Sequence, residues 1–331
     1  MKEFLQNIIP FNNRTEMSTI LFVVKKILAF WLCYIVGLIL AEGVVILLHF
    51  ALGKNMLVGD VFDTPTITLI TYYGYIIMSG VALLYWKLIE KKPLSEMGLT
   101  KRFGNYFIGI IIGIILLAVS VFAIILTGNI EYLGFFENAD ILMIILLIGG
   151  FIVQGATEEI LCRGIVLHTL KEKTSTWIAI AISTILFIIP HWSSLFEGGT
   201  IYGIIGVANL VLISIIFSLL IIRFKSIWVA CGLHSFWNAI LYCILGLNLS
   251  GNDEKVTAIF NIQSVGKNIW NGGEYGIEAS VITTIVLAFA AAFIWYSNNT
   301  LVLGGGILLK KFVFCHTIAS QKHITESDKE P

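Results

Sequence analysis

Charge is what this chain has least of. Only 13% of its 331 residues are Asp, Glu, Lys or Arg, 57% are hydrophobic, and the mean hydropathy is +0.91. Soluble domains run near half apolar with about a quarter of their residues charged. That class is therefore excluded, and a polytopic helical membrane protein is expected. The formal net charge is +0, which leaves no bulk attraction for nucleic acid. No C-x-x-C or zinc-finger spacing occurs among Cys33, Cys162, Cys231, Cys243 and Cys315. Most of them lie in apolar runs, where cysteine acts as a small hydrophobe, so no disulfide framework is expected. The opening MKEFLQNIIPFNNRTEMSTILF is too polar for a secretory signal, and the first apolar run is expected to be retained as a membrane helix. H-E-x-x-H and G-x-S-x-G are absent, which removes the single-helix zinc signature and the serine nucleophile elbow. No internal repeat is apparent.

What is present is a series of apolar stretches of about 20 residues, the length that crosses a bilayer. They fall near 27–50, 66–86, 106–127, 139–162, 176–196, 203–222, 226–246 and 279–296. The expected fold is an all-α, polytopic membrane helical bundle of about eight transmembrane helices, with 1–331 a single membrane domain. Loop charge alternates. Arg14, Lys25 and Lys26 precede the first span, Lys87, Lys91, Lys92, Lys101 and Arg102 follow the second, and Lys171 and Lys173 follow the fourth. Arg223 and Lys225 follow the sixth, and Lys310, Lys311 and Lys322 follow the last. The other loops are poor in base or acidic. Positive loops favour the cytoplasm, so both termini are expected there, which requires an even number of spans. The stretch LVLGGGILLKK is expected at the interface and HITESDKEP as a polar tail.

Against this background TEEILCRG, residues 157–164, stands out. A charge at mid-bilayer costs about 2.5–3.5 kcal/mol on insertion scales. Glu159 and Arg163 are spaced i, i+4 with the acid first, the favourable order for a pair on a helix. Glu158 lies about 100° around the helix from Glu159 and has no basic partner at i+3 or i+4. It needs water or a partner from another helix. Two later spans supply candidates: His191 in LFIIPHWSS, where Pro190 should bend the helix, and His234 with Asn238 in CGLHSFWNAI. At 1.5 Å per residue, Glu158 lies about 20 Å from Lys171, His191 about 20–24 Å into its span and His234 about 12 Å into its own. These depths permit one layer, reached from the cytoplasmic side.

A carboxylate with a histidine can activate water, and a second histidine with an amide can donate to an oxyanion. The inventory suits peptide-bond hydrolysis. Glu158, His191 and His234 could equally ligate zinc with an open fourth position, and their spacing does not choose. Each feature also has a plain structural explanation: a polar knot joining helices for Glu158, Glu159 and Arg163, and a satisfied core histidine for each imidazole. The set together favours a site. Glu42, a further intramembrane acid, is expected to pair with another helix or line the cavity. His49, His168, His316 and His323 are expected at solvent or headgroups, and Gln154 and Asn209 as interhelical hydrogen bonders.

EEILCR resembles the E-E-x-x-x-R motif of the CAAX protease and bacteriocin-processing (CPBP) family of intramembrane endopeptidases, which includes the type II CAAX prenyl endopeptidases. FIIPH is similar to its F-x-x-x-H motif and HSFWN to its H-x-x-x-N motif, in the family's order. The resemblance covers 139–250, the expected catalytic core, and KKPLSEMGL and GGEYGIEAS are similar to flanking pieces of bacterial members. It implies that Glu158 is the general base, that Glu159 and Arg163 brace the site, that His191 works with Glu158 on the water, and that His234 and Asn238 stabilise the oxyanion. It implies a multi-pass protein of a bacterial cell membrane with its active site facing the cytoplasm, acting on membrane-associated, lipidated or exported peptides, or serving in bacteriocin immunity. No cofactor is expected to be required, with zinc on Glu158, His191 and His234 as the competing view. The expected partners are a peptide or protein substrate and membrane lipids. Two readings of other classes are a non-enzymatic immunity or scaffold protein and an ion-coupled transporter with a buried Glu/His relay, though the repeats that a transporter would show are not seen.

Overall fold

The structure is a computed structural model that describes residues 8–251 and 256–304, the last four by backbone alone. Residues 305–331, which hold His316, His323 and most of the expected interfacial and tail segments, lie outside the described residues.

Seven helices are long and apolar enough to cross a membrane. They are α1 (Thr19–Ala51), α2 (Thr64–Tyr85, prolonged by a wide π turn to Glu90), α3 (Gly104–Leu126), α4 (Ile141–Glu159, prolonged to Leu170), α5 (Thr176–Ile188, prolonged to Glu197), α6 (Thr200–Phe224) and α8 (Val281–Gly304). The remaining expected span is α7 (Trp228–Ala239, prolonged to Ile244), an apolar helix too short to count with them. Its 17 residues rise about 25 Å, less than the roughly 30 Å of bilayer hydrocarbon. It can be short because it is interior. Every side chain from Val229 to Ser235 is buried, and so are Trp237, Asn238 and Ala239. Backbones meet backbones around it. A Cβ at Gly109 of α3 would strike the carbonyl of Val229, and one at Gly232 would strike the carbonyl of Tyr106. One at Gly155 of α4 would fall 2.7 Å from Ser235 Oγ. Small residues at these crossings are what lets membrane helices approach closely.

Polar contacts identify the two ends of the bundle. At one end Lys26 Nζ lies 2.6 Å from Glu90 Oε1, Lys92 pairs with Glu172, Lys173 donates to the carbonyl of Thr15, and Arg102 Nη1 donates to the carbonyl of Phe224 at 3.2 Å. This is the lysine-rich end. At the other, β1 (Ile130–Phe135) and β2 (Phe260–Ser264) pair antiparallel as a two-stranded ribbon, and Asn268 Nδ2 donates to Asn129 Oδ1 at 2.7 Å.

Five polar residues sit differently from their expected places. Lys25 and Lys26 lie inside α1 and are buried rather than preceding the span. Lys26 reaches both carboxylate oxygens of Glu90, to which Tyr85 also donates, while Lys25 donates to Asn12 Oδ1 and the carbonyl of Arg14. A buried charge persists only when paired in this way. His49 is buried, not at headgroups, with Nδ1 2.8 Å from the carbonyl of Val45 and its other nitrogen accepting from the amide of Phe62 at 3.3 Å. His168 likewise turns inward, its Nδ1 2.7 Å from the carbonyl of Arg163. Glu42 is exposed on α1 and lines none of the cavities at the candidate site.

Candidate active site

The site is assembled from three helices. On α4, Gln154, Glu158, Glu159 and Arg163 occupy the two turns where regular helix gives way to π geometry at Ile160. Such wide turns recur at functional sites, because they re-aim side chains without ending the helix. Here Glu159 and Arg163 keep their pairing: Nη1 lies 2.8 Å from Oε1, with both side chains fully buried. Arg163 Nη2 donates to Ser214 Oγ of α6 at 2.7 Å, and that hydroxyl lies 2.7 Å from Thr184 Oγ1 of α5. The guanidinium lies over the rings of Phe187 and Phe217, 4.5 and 5.0 Å from their centres. This buried cation thus has charge, hydrogen-bond and cation–π partners together.

His234 on α7 is held between the two adjacent glutamates. Its Nδ1 lies 3.1 Å from Glu159 Oε1 and its Nε2 3.8 Å from Glu158 Oε2. A carboxylate only accepts, so Nδ1 carries a proton toward Glu159. Phe217 stacks on the ring, 5.2 Å between centres and 19° between planes. Glu159 and Phe217 therefore fix both the tilt and the protonated nitrogen of His234, as an orienting carboxylate does for catalytic imidazoles generally.

Glu158 is oriented by its neighbours. Gln154 Nε2 donates to Oε1 at 2.7 Å, and Asn238 Nδ2 donates to Gln154 Oε1 at 3.0 Å. This relay leaves Glu158 Oε2 with no hydrogen-bond partner among the described residues. The 3.8 Å between Oε2 and His234 Nε2 exceeds a direct hydrogen bond, yet an oxygen beside that line can contact both atoms.

His191 stands on the short 3-10 turn Ile189–His191 that Pro190 introduces into α5. Its Nδ1 lies 2.9 Å from the carbonyl of Phe187, which can only accept, so Nε2 is left free. Glu158, His191, Asn238 and Gln154 line one cavity, and His191, His234, Asn238 and Gln154 line an adjoining one. Four of the six residues expected from the sequence, Glu158, His191, His234 and Asn238, thus line two adjoining spaces, while Glu159 and Arg163 lie fully buried behind His234. Glu158 and His234 face each other directly, while His191 shares a cavity with each. Among the described residues no three His, Cys, Asp or Glu side chains are grouped as a metal ion would require.

Residues 140–240 match the family model described as type II CAAX prenyl endopeptidase Rce1-like. This stretch is similar to that family. The match bears out the recognition drawn from the three motifs. A search of curated proteins returns no match for this chain.

The Rce1-like stretch also contains Gln154, expected only as an interhelical hydrogen bonder; its i, i+4 spacing to Glu158 was the signal that ties it to the site. Glu278 lies beyond the stretch and was not singled out, although GGEYGIEAS contains it. It lines the cavity shared by His191 and His234. Its Oε1 accepts from Trp237 Nε1 at 3.1 Å, and its Oε2 from the amide and hydroxyl of Ser250 at 2.7 and 3.0 Å. Burial pushes its carboxyl above the ordinary range, against the Ser250 and Trp237 donors and the nearby His191 ring. Asn209 donates to the carbonyls of Glu278 and Ser280, so it fastens a loop rather than bridging two helices.

Proposed function

We propose that this multi-pass membrane protein is an intramembrane endopeptidase in which Glu158 activates the attacking water. The Rce1-like match supports a CAAX-type membrane protease at family level. The observation that carries the catalytic assignment is the pairing of a Glu158 oxygen without a partner and His234 Nε2 at 3.8 Å, beside a cavity that also presents His191 and Asn238.

In this reading a water gives a proton to Glu158 Oε2 as its oxygen attacks the scissile carbonyl. His191 Nε2 accepts a hydrogen bond from the same water and keeps its oxygen aimed. The developing oxyanion takes donors from His234, when Nε2 is protonated, and from the second N–H of Asn238 Nδ2. The tetrahedral centre then collapses, the C–N bond breaks, and the proton held by Glu158 passes to the leaving amine. General-base assistance of this kind contributes about 10²–10⁴-fold, and oxyanion donors add to it. Glu159 and Arg163 touch no reacting atom; they hold His234. The reading requires no cofactor.

The test is a peptidase assay on purified protein in detergent or proteoliposomes, with wild type and the Glu158→Gln, His191→Ala and His234→Ala variants, each with and without chelator. Cleavage by wild type, lost in E158Q and indifferent to chelator, is the expected result. Loss with chelator and restoration by zinc would overturn the cofactor-free mechanism. Full biological activity in E158Q would favour a scaffold or immunity role. Glu158-dependent ion flux across vesicles without cleavage would favour a transporter.

A further inference from the structure

The cavity shared by His191 and His234 extends past the residues that the catalytic reading uses. Glu158 does not line it. It adjoins the Glu158 cavity through Gln154, His191, Asn238 and Ser250, which line both. Its remaining walls come largely from α6 and α8, which pack against each other. On α6, Asn209, Ile213 and Phe217 follow at i, i+4 and i+8, and on α8 Thr283 and Leu287 are i, i+4, so each helix turns one row toward the space. Both rows run from a polar residue to an apolar one. Phe217 is the ring that stacks on His234, and Asn209 lies two turns away from it, about 12 Å along the helix. The room inside is about 50 Å³, enough for roughly four water-sized groups. A space that long and that small is narrow.

The polar end is built to accept hydrogen bonds. Asn209 and Thr283 are 3% and 0% exposed. Asn209 spends its Nδ2 on the carbonyls of Glu278 and Ser280, so only Oδ1 is left to it. Neither that oxygen nor Thr283 Oγ1 has a hydrogen-bond partner among the described residues. Unpaired buried polar atoms are rare, and two of them lining one cavity point to a ligand that donates. Glu278 adds a carboxyl to the same walls. Its own donors, Trp237 Nε1 and the amide and hydroxyl of Ser250, are all uncharged. No lysine or arginine lines the space.

We infer that this cavity takes a lysine side chain of the peptide substrate, from a residue beside the scissile bond. The four-carbon stem lies along Ile213 and Leu287, and the ammonium, with three protons to donate, meets Asn209 Oδ1, Thr283 Oγ1 and the Glu278 carboxylate. The ammonium supplies the opposite charge that lets this buried acid ionise. The planar fork of arginine is too wide for a narrow space. An apolar side chain would leave Asn209 Oδ1 and Thr283 Oγ1 unpaired. The inference rests on the endopeptidase reading for the presence of a peptide, and on the cavity for the residue it selects.

Binding without cleavage tests it. The full-length Glu158→Gln protein in nanodiscs of zwitterionic lipid is given decapeptide pools with lysine, methionine or arginine fixed at one central position and all other positions random. Lipid-only nanodiscs serve as blank. Retention of the lysine pool about tenfold above the methionine pool is expected, the scale of buried hydrogen bonds to a charged group, with arginine below lysine. Adding Glu278→Gln should bring lysine down to methionine. Adding Thr283→Val, which removes an unpartnered hydroxyl at nearly constant shape, should lower lysine retention severalfold and leave the unfolding midpoint in place. Equal retention of the lysine and methionine pools, arginine retained as well as lysine, or a lysine preference unchanged by E278Q would each overturn the inference and leave the peptidase reading standing. No pool retained above the blank would overturn both. The expected lysine preference in a protein that cleaves nothing would refute the chemistry and not the pocket.

Discussion

One oxygen of Glu159 serves both Arg163 and His234: Oε1 lies 2.8 Å from Arg163 Nη1 and 3.1 Å from His234 Nδ1. The ion pair on α4 and the imidazole on α7 are thus a single unit, in which Arg163 braces Glu159 and Glu159 braces the ring. Removing one member leaves a buried charge unpaired, which costs about 3–5 kcal/mol. Arg163→Leu should therefore lower the thermal unfolding midpoint sharply. The double variant E159L/R163L should recover most of that loss and still lack activity, because His234 then has no orienting acid. Thermal unfolding in detergent, set beside peptidase turnover, checks both halves.

Glu158→Gln should cost about 10²–10⁴-fold in turnover with little change in folding. The amide is nearly isosteric and can still meet Gln154, but it cannot take a proton. A thermal midpoint near wild type together with abolished cleavage is the expected pair of results.

The close helix crossings predict which glycines matter. Gly232→Ala places a methyl group against the carbonyl of Tyr106, and Gly155→Ala places one against Ser235. Each should destabilise by about 1–3 kcal/mol or more, the range for overpacking. Gly80→Ala, where the new methyl group meets nothing within 4 Å, should be neutral and serves as the control. Unfolding midpoints of the three variants provide the comparison.

Glu278 should leave a pH signature. Its carboxyl is pushed up by burial, so the folded state keeps a proton that the unfolded chain releases above about pH 4.5. Stability from this group is full below that value and declines as pH rises through the folded-state titration. Glu278→Gln removes this titration, so its unfolding midpoint should fall less than that of wild type between acidic and neutral pH. Parallel pH series of thermal unfolding measure the difference.

The candidate site residues were legible because membrane helices hide little. Three motifs interrupt apolar runs in which any charge is conspicuous, and the i, i+4 geometry of Glu159 and Arg163 survives even though the helix widens at Ile160. The helical spans were legible for the same reason. Contributions that look ordinary in sequence were not. Ser214 and Thr184 are hydroxyls that membrane helices tolerate anywhere, yet Ser214 accepts from Arg163 and Thr184 hydrogen-bonds Ser214 in turn. Glu278 sits in a glycine-rich loop, where an acid usually means solvent, and only the folded chain returns it to Trp237. Lys26 was counted as a loop charge because its partner Glu90 lies 64 positions away.

The shortness of α7 bears on how the chain is made. Carrying His234, Ser235 and Asn238 along about 25 Å of helix, it is a poor candidate for independent partitioning out of the translocon. Its lodging place, between α3 and α4, is synthesised earlier. Insertion of the segment that brings the imidazole to Glu158 should therefore wait for those two helices to be in place, so a ribosome stalled after α7 should hold an already joined three-helix unit.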